Sequence, residues 1–198
     1  MLNRLLQAID QLSKSVGHAF AWCILILTFG TVYEVFVRYA LRDPTSWAFD
    51  MSYILYGGLF LMSGAYALSR NAHVRGDVFY RLWPIRVQAG VELTLYIIFF
   101  FPGVLSLIIA GGGYAWDSIR IQEVSVNSPV GVPIFQLKAL IPLAGLLLAI
   151  QGVAEVIRCF IALREGKWPP RLHDVEEMET AVLAQHQDHA KMAGENAK

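Results

Sequence analysis

MSYILYGGLFLMSGAYALS, residues 51–69, carries no charged side chain over 19 positions, and LTLYIIFFFPGVLSLIIAGGG, residues 93–113, carries none over 21. A helix rises about 1.5 Å per residue and the hydrocarbon core of a bilayer is about 30 Å thick, so each stretch has the length of one transmembrane helix. Two further apolar stretches flank them. One runs from about Gly17 to Val37 with Glu34 near its far end, and the other from about Pro133 to Ile157 with Lys138 and Glu155 toward opposite ends. Charges at the ends of a span can snorkel to the headgroups, so these leave both spans intact. The expected fold is an all-α membrane protein of four transmembrane helices, at about 17–37, 48–69, 89–113 and 133–157, with amphipathic interfacial segments.

Composition agrees. Of the 198 residues 56% are hydrophobic and 16% charged, where a soluble domain carries about 25% charged. Lys plus Arg equals Asp plus Glu, 16 each, which leaves no charge excess to suggest nucleic acid as a partner. Cys23 and Cys159 each lie in an apolar run without a second cysteine nearby, so they read as small buried residues. No small-residue cleavage site follows the first short apolar stretch, so the first helix is expected to stay.

Orientation follows from the basic residues. Arg4 and Lys14, the loop arginines 70, 75, 81 and 86, and six cations from Arg158 to Lys198 fall on one side, while Arg38, Arg42, Arg120 and Lys138 fall on the other. The positive-inside rule therefore puts both termini in the cytoplasm. Residues 1–16 read as a cytoplasmic or interfacial amphipathic segment and residues 158–198 as a polar cytoplasmic tail, stopped by Pro169 and Pro170 and too polar to bury a core. HVRGDVFYRLWPIRVQ interleaves arginines with Phe79, Leu82 and Trp83, the mixture of a segment lying at lipid phosphate depth. On the opposite side, YAWDSIRIQEVSVNSPVG suggests a headgroup belt and a short helix flat on the membrane.

Few residues could carry chemistry. Glu34 and Arg38 are four apart on one helical face and can pair at low cost. Glu34 stands roughly 25 Å above the inner end of its span, too near the outer surface to serve as the central carboxylate of a proton-coupled drug carrier. His18 and His73 are both interfacial and on the same side, so they do not form the facing pair that a haem-bearing redox anchor needs. Gly145, Ala149 and Gly152 share one face of span four, and Gly57 and Gly64 one face of span two. These smooth stripes suit close helix approach, either within the chain or to a partner. Pro102-Gly103 and Pro142 suggest bends. With no phosphate loop, zinc motif or nucleophile elbow, an enzyme reading has no residues to support it. No internal repeat is evident, which argues against a self-contained carrier built on inverted repeats.

Between Glu34 and Trp83 the chain reads EVFVRYALRDPTSWAFDMSYILYGGLFLMSGAYALSRNAHVRGDVFYRLW. Arg38-Tyr39 closes span one, Trp47 and Asp50 open span two, Gly64-Ala65 lie inside it, and His73-Val74 with Asp77 follow. In order and spacing these resemble the small-subunit (DctQ-like) family of tripartite ATP-independent periplasmic (TRAP) transporters. The later part, with Glu123, Ser125, Pro133 and Lys138, is similar to the branch labelled mannitol/chloroaromatic type. Asp50 stands where many members have Glu, and Gly76 where many have Val or Ile.

The resemblance implies a multi-pass protein of the bacterial inner membrane that serves secondary active uptake. A periplasmic binding protein would deliver an organic anion, commonly a carboxylate, to a large membrane subunit. Sodium ions would be bound there, and this subunit would hold no cofactor. The small subunit would brace the large one, with no broken-helix ion site of its own and no buried ionic centre capable of moving cargo. Trp47 is expected as an interface anchor, with Asp50 capping its helix or pairing with a base. His73, Arg75 and Asp77 are expected to form an inner anchor on lipid phosphate or the large subunit. Glu123 and Lys138 either pair or meet the binding protein. The competing reading is the membrane anchor of a redox enzyme.

Overall fold

The computed structural model describes residues 2–71, 80 and 82–169. Four helices carry the fold: α1 (Leu2–Leu41), α2 (Ala48–Ser69), α3 (Ile85–Arg120) and α4 (Phe135–Glu165), each long and apolar enough to cross a membrane. Among the described residues there is no strand; an isolated antiparallel bridge, Val124 to Pro133, closes the loop before α4.

The helices run further than the uncharged stretches. No proline interrupts residues 2–36, so the expected interfacial segment and span one are a single continuous helix. It ends in a wide π-helical turn, Val37–Leu41, closed by Arg42 in the left-handed region at φ 56°. A second π turn, Tyr96–Phe100, precedes Pro102. Proline lacks an N–H and its ring would crowd the carbonyl four residues back; the wider turn takes up that misfit and α3 continues to Arg120. Residues 114–120 are therefore a continuation of α3 rather than a helix flat on the membrane, and residues 121–134 form a loop. Beyond Ile157, α4 runs on to Glu165 and is capped by Gly166 at φ 69°, whose N–H reaches the Ala162 carbonyl at 2.9 Å.

α4 is the central element. It packs against α2 and α3, and over a shorter stretch against α1, while α1 packs chiefly on α2. Met62 and Ala65 of α2 meet Ala144 and Leu147 of α4, with Val16 and Phe20 of α1 closing over them. Nearer the termini, Leu68, Tyr96 and Cys159 join α2, α3 and α4. Between lipid-soluble helices burial of apolar area drives little association, so close backbone approach has to supply the attraction. Glycines permit it. A Cβ on Gly145 would lie 2.8 Å from Ile108, and one on Gly111 2.7 Å from Ile141, beside Pro142. The small-residue faces of α3 and α4 are thus joined inside the chain.

Candidate functional site: two polar decks and the faces between them

The buried charges fall at two levels. About 20 residues of α4 separate Lys138 from Arg158, and a similar length of α2 separates Asp50 from Arg70, roughly 30 Å in each case. That is the thickness of a bilayer's hydrocarbon core. Glu34 and Asp10 on α1, with Tyr114 and Glu92 on α3, mark comparable limits.

At the termini side, five side chains from α1 and α4 form one cluster. Arg158 donates from Nη2 to Asp10 and from Nη1 to Glu155. Gln151 Nε2 donates to Asp10 Oδ1 at 2.9 Å and to Glu155 Oε1 at 3.4 Å, and its own Oε1 accepts from Ser13 Oγ at 2.9 Å. All five are at most 2% exposed. A lone charge at this depth would cost several kcal/mol, and mutual pairing with shared amide bonds is what makes the burial tolerable. Sequence reasoning missed this cluster. It placed Glu155 at a snorkelling end and Arg158 in a tail; Arg158 instead turns inward to the Asp10 carboxylate of the neighbouring helix, and Glu155 turns inward to pair with Arg158. A signal was present. Leu6, Asp10, Ser13 and Gly17 recur at helical spacing, as do Gln151, Glu155 and Arg158, and these are the buried positions. Beside the cluster, Glu92 on α3 accepts from the Tyr80 hydroxyl and, at 3.9 Å, from the Cys159 thiol.

At the loop side, Arg38 pairs with Glu34 at 2.5 Å, as the spacing predicts, and Thr45 adds its N–H at 3.2 Å and its hydroxyl to the same carboxylate. Trp47 is partly exposed and stacks on Tyr33 at 6.4 Å. Asp50 neither caps α2 nor meets a base among the described residues. It is 1% exposed and accepts from Ser125 Oγ at 2.6 Å and from Ser128 Oγ, so the hydroxyls of the 121–134 loop satisfy it. Glu123 and Lys138 pair at 2.5 Å, with the ammonium 4.0 Å from the Tyr114 ring centre. The hydrogen bond from Lys138 holds the Glu123 carboxyl below its ordinary value of 4.5.

Of the remaining candidates, Trp83 stands half-exposed before α3, and its carbonyl accepts from Gln88 at 2.9 Å. His73, Arg75 and Asp77 lie outside the described residues. Gly145 and Gly152 face Ile108 and Phe100, and Gly57 and Gly64 face Leu137 and Leu148, so these smooth stripes serve internal packing; Ala149 between them is half-buried. His18 packs edge-on against Tyr66 at 5.4 Å. Between the decks the outward faces are apolar and aromatic: Trp22 and Phe29 on α1, Phe60 on α2, Phe99 and Ile109 on α3.

Comparison with curated proteins finds no match for the chain. A sequence profile described as "Tripartite ATP-independent periplasmic transporters, DctQ component" matches residues 27–162, from the middle of α1 almost to the end of α4. With that match covering more than half of the chain, and four helices suited to crossing a membrane, this multi-pass inner-membrane protein is not an enzyme and belongs to the DctQ family, the small membrane component of TRAP transporters.

Proposed function

We propose that the chain is the scaffold subunit of its transporter, bracing the large membrane subunit while that subunit carries the moving parts. The observation that supports this most directly is the way the polar groups are used. Asp10, Asp50, Glu123, Lys138 and Arg158 each hold one element of the chain to another, and Glu155 shares the Arg158 guanidinium within α4. A carrier's ion site needs unwound backbone or unengaged ligands at mid-depth, whereas here the polar groups sit at the two boundaries and the middle is apolar. Such a bundle is stiff. Its outward aromatic faces offer surface to a membrane partner or to lipid.

On this reading a periplasmic binding protein delivers an organic anion, most simply a carboxylate, and sodium ions bound by the large subunit drive uptake. Both termini lie in the cytoplasm, as the basic residues direct. Trp47, Trp83 and the Glu34–Arg38 pair then mark the headgroup zones, and His73, Arg75 and Asp77 contribute an inner anchor.

The test is reconstitution. Tagged chain expressed with its large subunit should bring that subunit through purification in mild detergent, and proteoliposomes should need both, plus the binding protein, for sodium-driven accumulation. Accumulation by this chain alone would overturn the proposal. A Soret band in the purified protein would instead favour the redox-anchor reading.

A further inference from the structure

Three cations near the termini-side boundary have no role in holding the bundle together. Arg86, in the first turn of α3, is exposed, and its guanidinium Nε lies 3.8 Å from where a Cβ on Gly166 would stand. Gly166 ends α4, so Arg86 lies against the end of that helix, the same short stretch that carries Arg164 and Lys167, both of them exposed. Trp168 Nε1 reaches Gln88 Oε1 at 3.5 Å, a second tie between the start of α3 and the end of α4. Among the described residues none of the three cations forms an ion pair, although the exposed carboxylate of Glu165 is in the same stretch. Two other cations on this side are engaged: Arg158 with two carboxylates and Arg70 over the Tyr66 ring at 5.4 Å.

Depth and surroundings say what the three can meet. Arg86 lies about six residues beyond Glu92 and Arg164 about six beyond Arg158, roughly 9 Å past the buried deck along each helix. Headgroups extend several ångströms beyond the hydrocarbon edge, within reach of long basic side chains from that level. Leu82 and Val87 are well exposed and Trp83 is partly so, giving the patch an apolar margin that suits insertion beside acyl chains.

We propose that Arg86, Arg164 and Lys167 form a binding site for the phosphate of an anionic phospholipid in the leaflet on the termini side. α3 and α4 supply the cations jointly, so an occupied site would tie the two helices together at their membrane boundary. The inference needs only that the chain lies in a membrane, and it stands whether or not the scaffold reading does.

The test is native mass spectrometry of the full chain released from mild detergent with added phosphatidylglycerol or phosphatidylcholine. Wild type should retain phosphatidylglycerol in preference to phosphatidylcholine. Each single change, R86Q, R164Q or K167Q, should weaken phosphatidylglycerol retention about five-fold. The triple variant should show no preference, while R38Q/R42Q at the other boundary should keep it. Excess inorganic phosphate should compete poorly, since the acyl chains contribute to binding. Equal retention of the two lipids by wild type, or an unchanged preference in a triple variant with wild-type thermal unfolding, would overturn the assignment; so would full displacement by free phosphate.

Discussion

Arg158 of α4 donates to Asp10 of α1 across 148 residues of chain, in a place where both side chains are 1% exposed. The pair joins the first helix to the central one at the level where the hydrocarbon ends. Deleting one member of a buried pair leaves the other charge stranded, which costs more than the pair itself contributes.

R158M should therefore destabilise the bundle by about 3–5 kcal/mol, because Asp10 and Glu155 lose their shared cation. The triple change D10N/E155Q/R158M removes all three charges and should recover most of that loss. Thermal unfolding in detergent measures both; a triple variant no more stable than R158M would contradict the electrostatic account.

Asp50 should govern the order of the 121–134 loop. D50A leaves the buried Ser125 and Ser128 hydroxyls without their acceptor, at a cost of about 1–3 kcal/mol. Amide exchange should accelerate at Ser125 and Gly131, whose N–H groups bond to Val132 and Ser128, while the centre of α4 stays protected. Uniform acceleration across the molecule would show that Asp50 acts on the whole fold instead.

The Glu123–Lys138 pair should give stability a defined pH dependence. The folded carboxyl is held below its ordinary value of 4.5 by the Lys138 hydrogen bond. Its contribution is thus complete above that ordinary value and is lost as pH falls through the lower folded one. K138M should return the Glu123 titration toward 4.5 and flatten the difference between unfolding at neutral pH and at pH near 4. Carboxyl NMR shifts of Glu123 in detergent measure the first effect.

Glycine substitutions should separate internal packing from outward faces. At Gly152 a Cβ would collide with the Phe100 ring, and G152A should cost about 1–3 kcal/mol, partly recovered by F100A. Gly112 has nothing within 4 Å of that position, so G112A should leave the stability of the isolated chain unchanged or slightly raised. Equal losses at the two sites would mean that α3 and α4 do not approach as described.

Val126, 96% exposed in the 121–134 loop, is a reporter of orientation. With both termini in the cytoplasm, V126C should react with a membrane-impermeant thiol reagent in cells whose outer membrane has been opened, over a low background from half-buried Cys23 and buried Cys159. A cysteine placed at Asn3 should react only after the inner membrane is breached. The reverse pattern would invert the topology.

Read alone, the sequence determined that four helices cross a membrane. The uncharged runs 51–69 and 93–113 are too long and too apolar for anything else, and lipid forces their backbone groups to bond within each helix. The Glu34–Arg38 pair was legible for a similar reason, since a spacing of four fixes a shared face. The motifs from Arg38 to Lys138 also carried the family. What the tertiary structure decided is where each polar side chain finds its partner. Asp10 meets Arg158, and Asp50 meets Ser125 and Ser128, through contacts that no local spacing encodes. The same holds for the glycine stripes: a helix shows that Gly145 and Gly152 share a face, but only the packing of α3 shows that the face is already filled. Periodicity acts along one helix, whereas a buried charge is neutralised by whichever helix lies opposite, and that choice belongs to the assembled bundle.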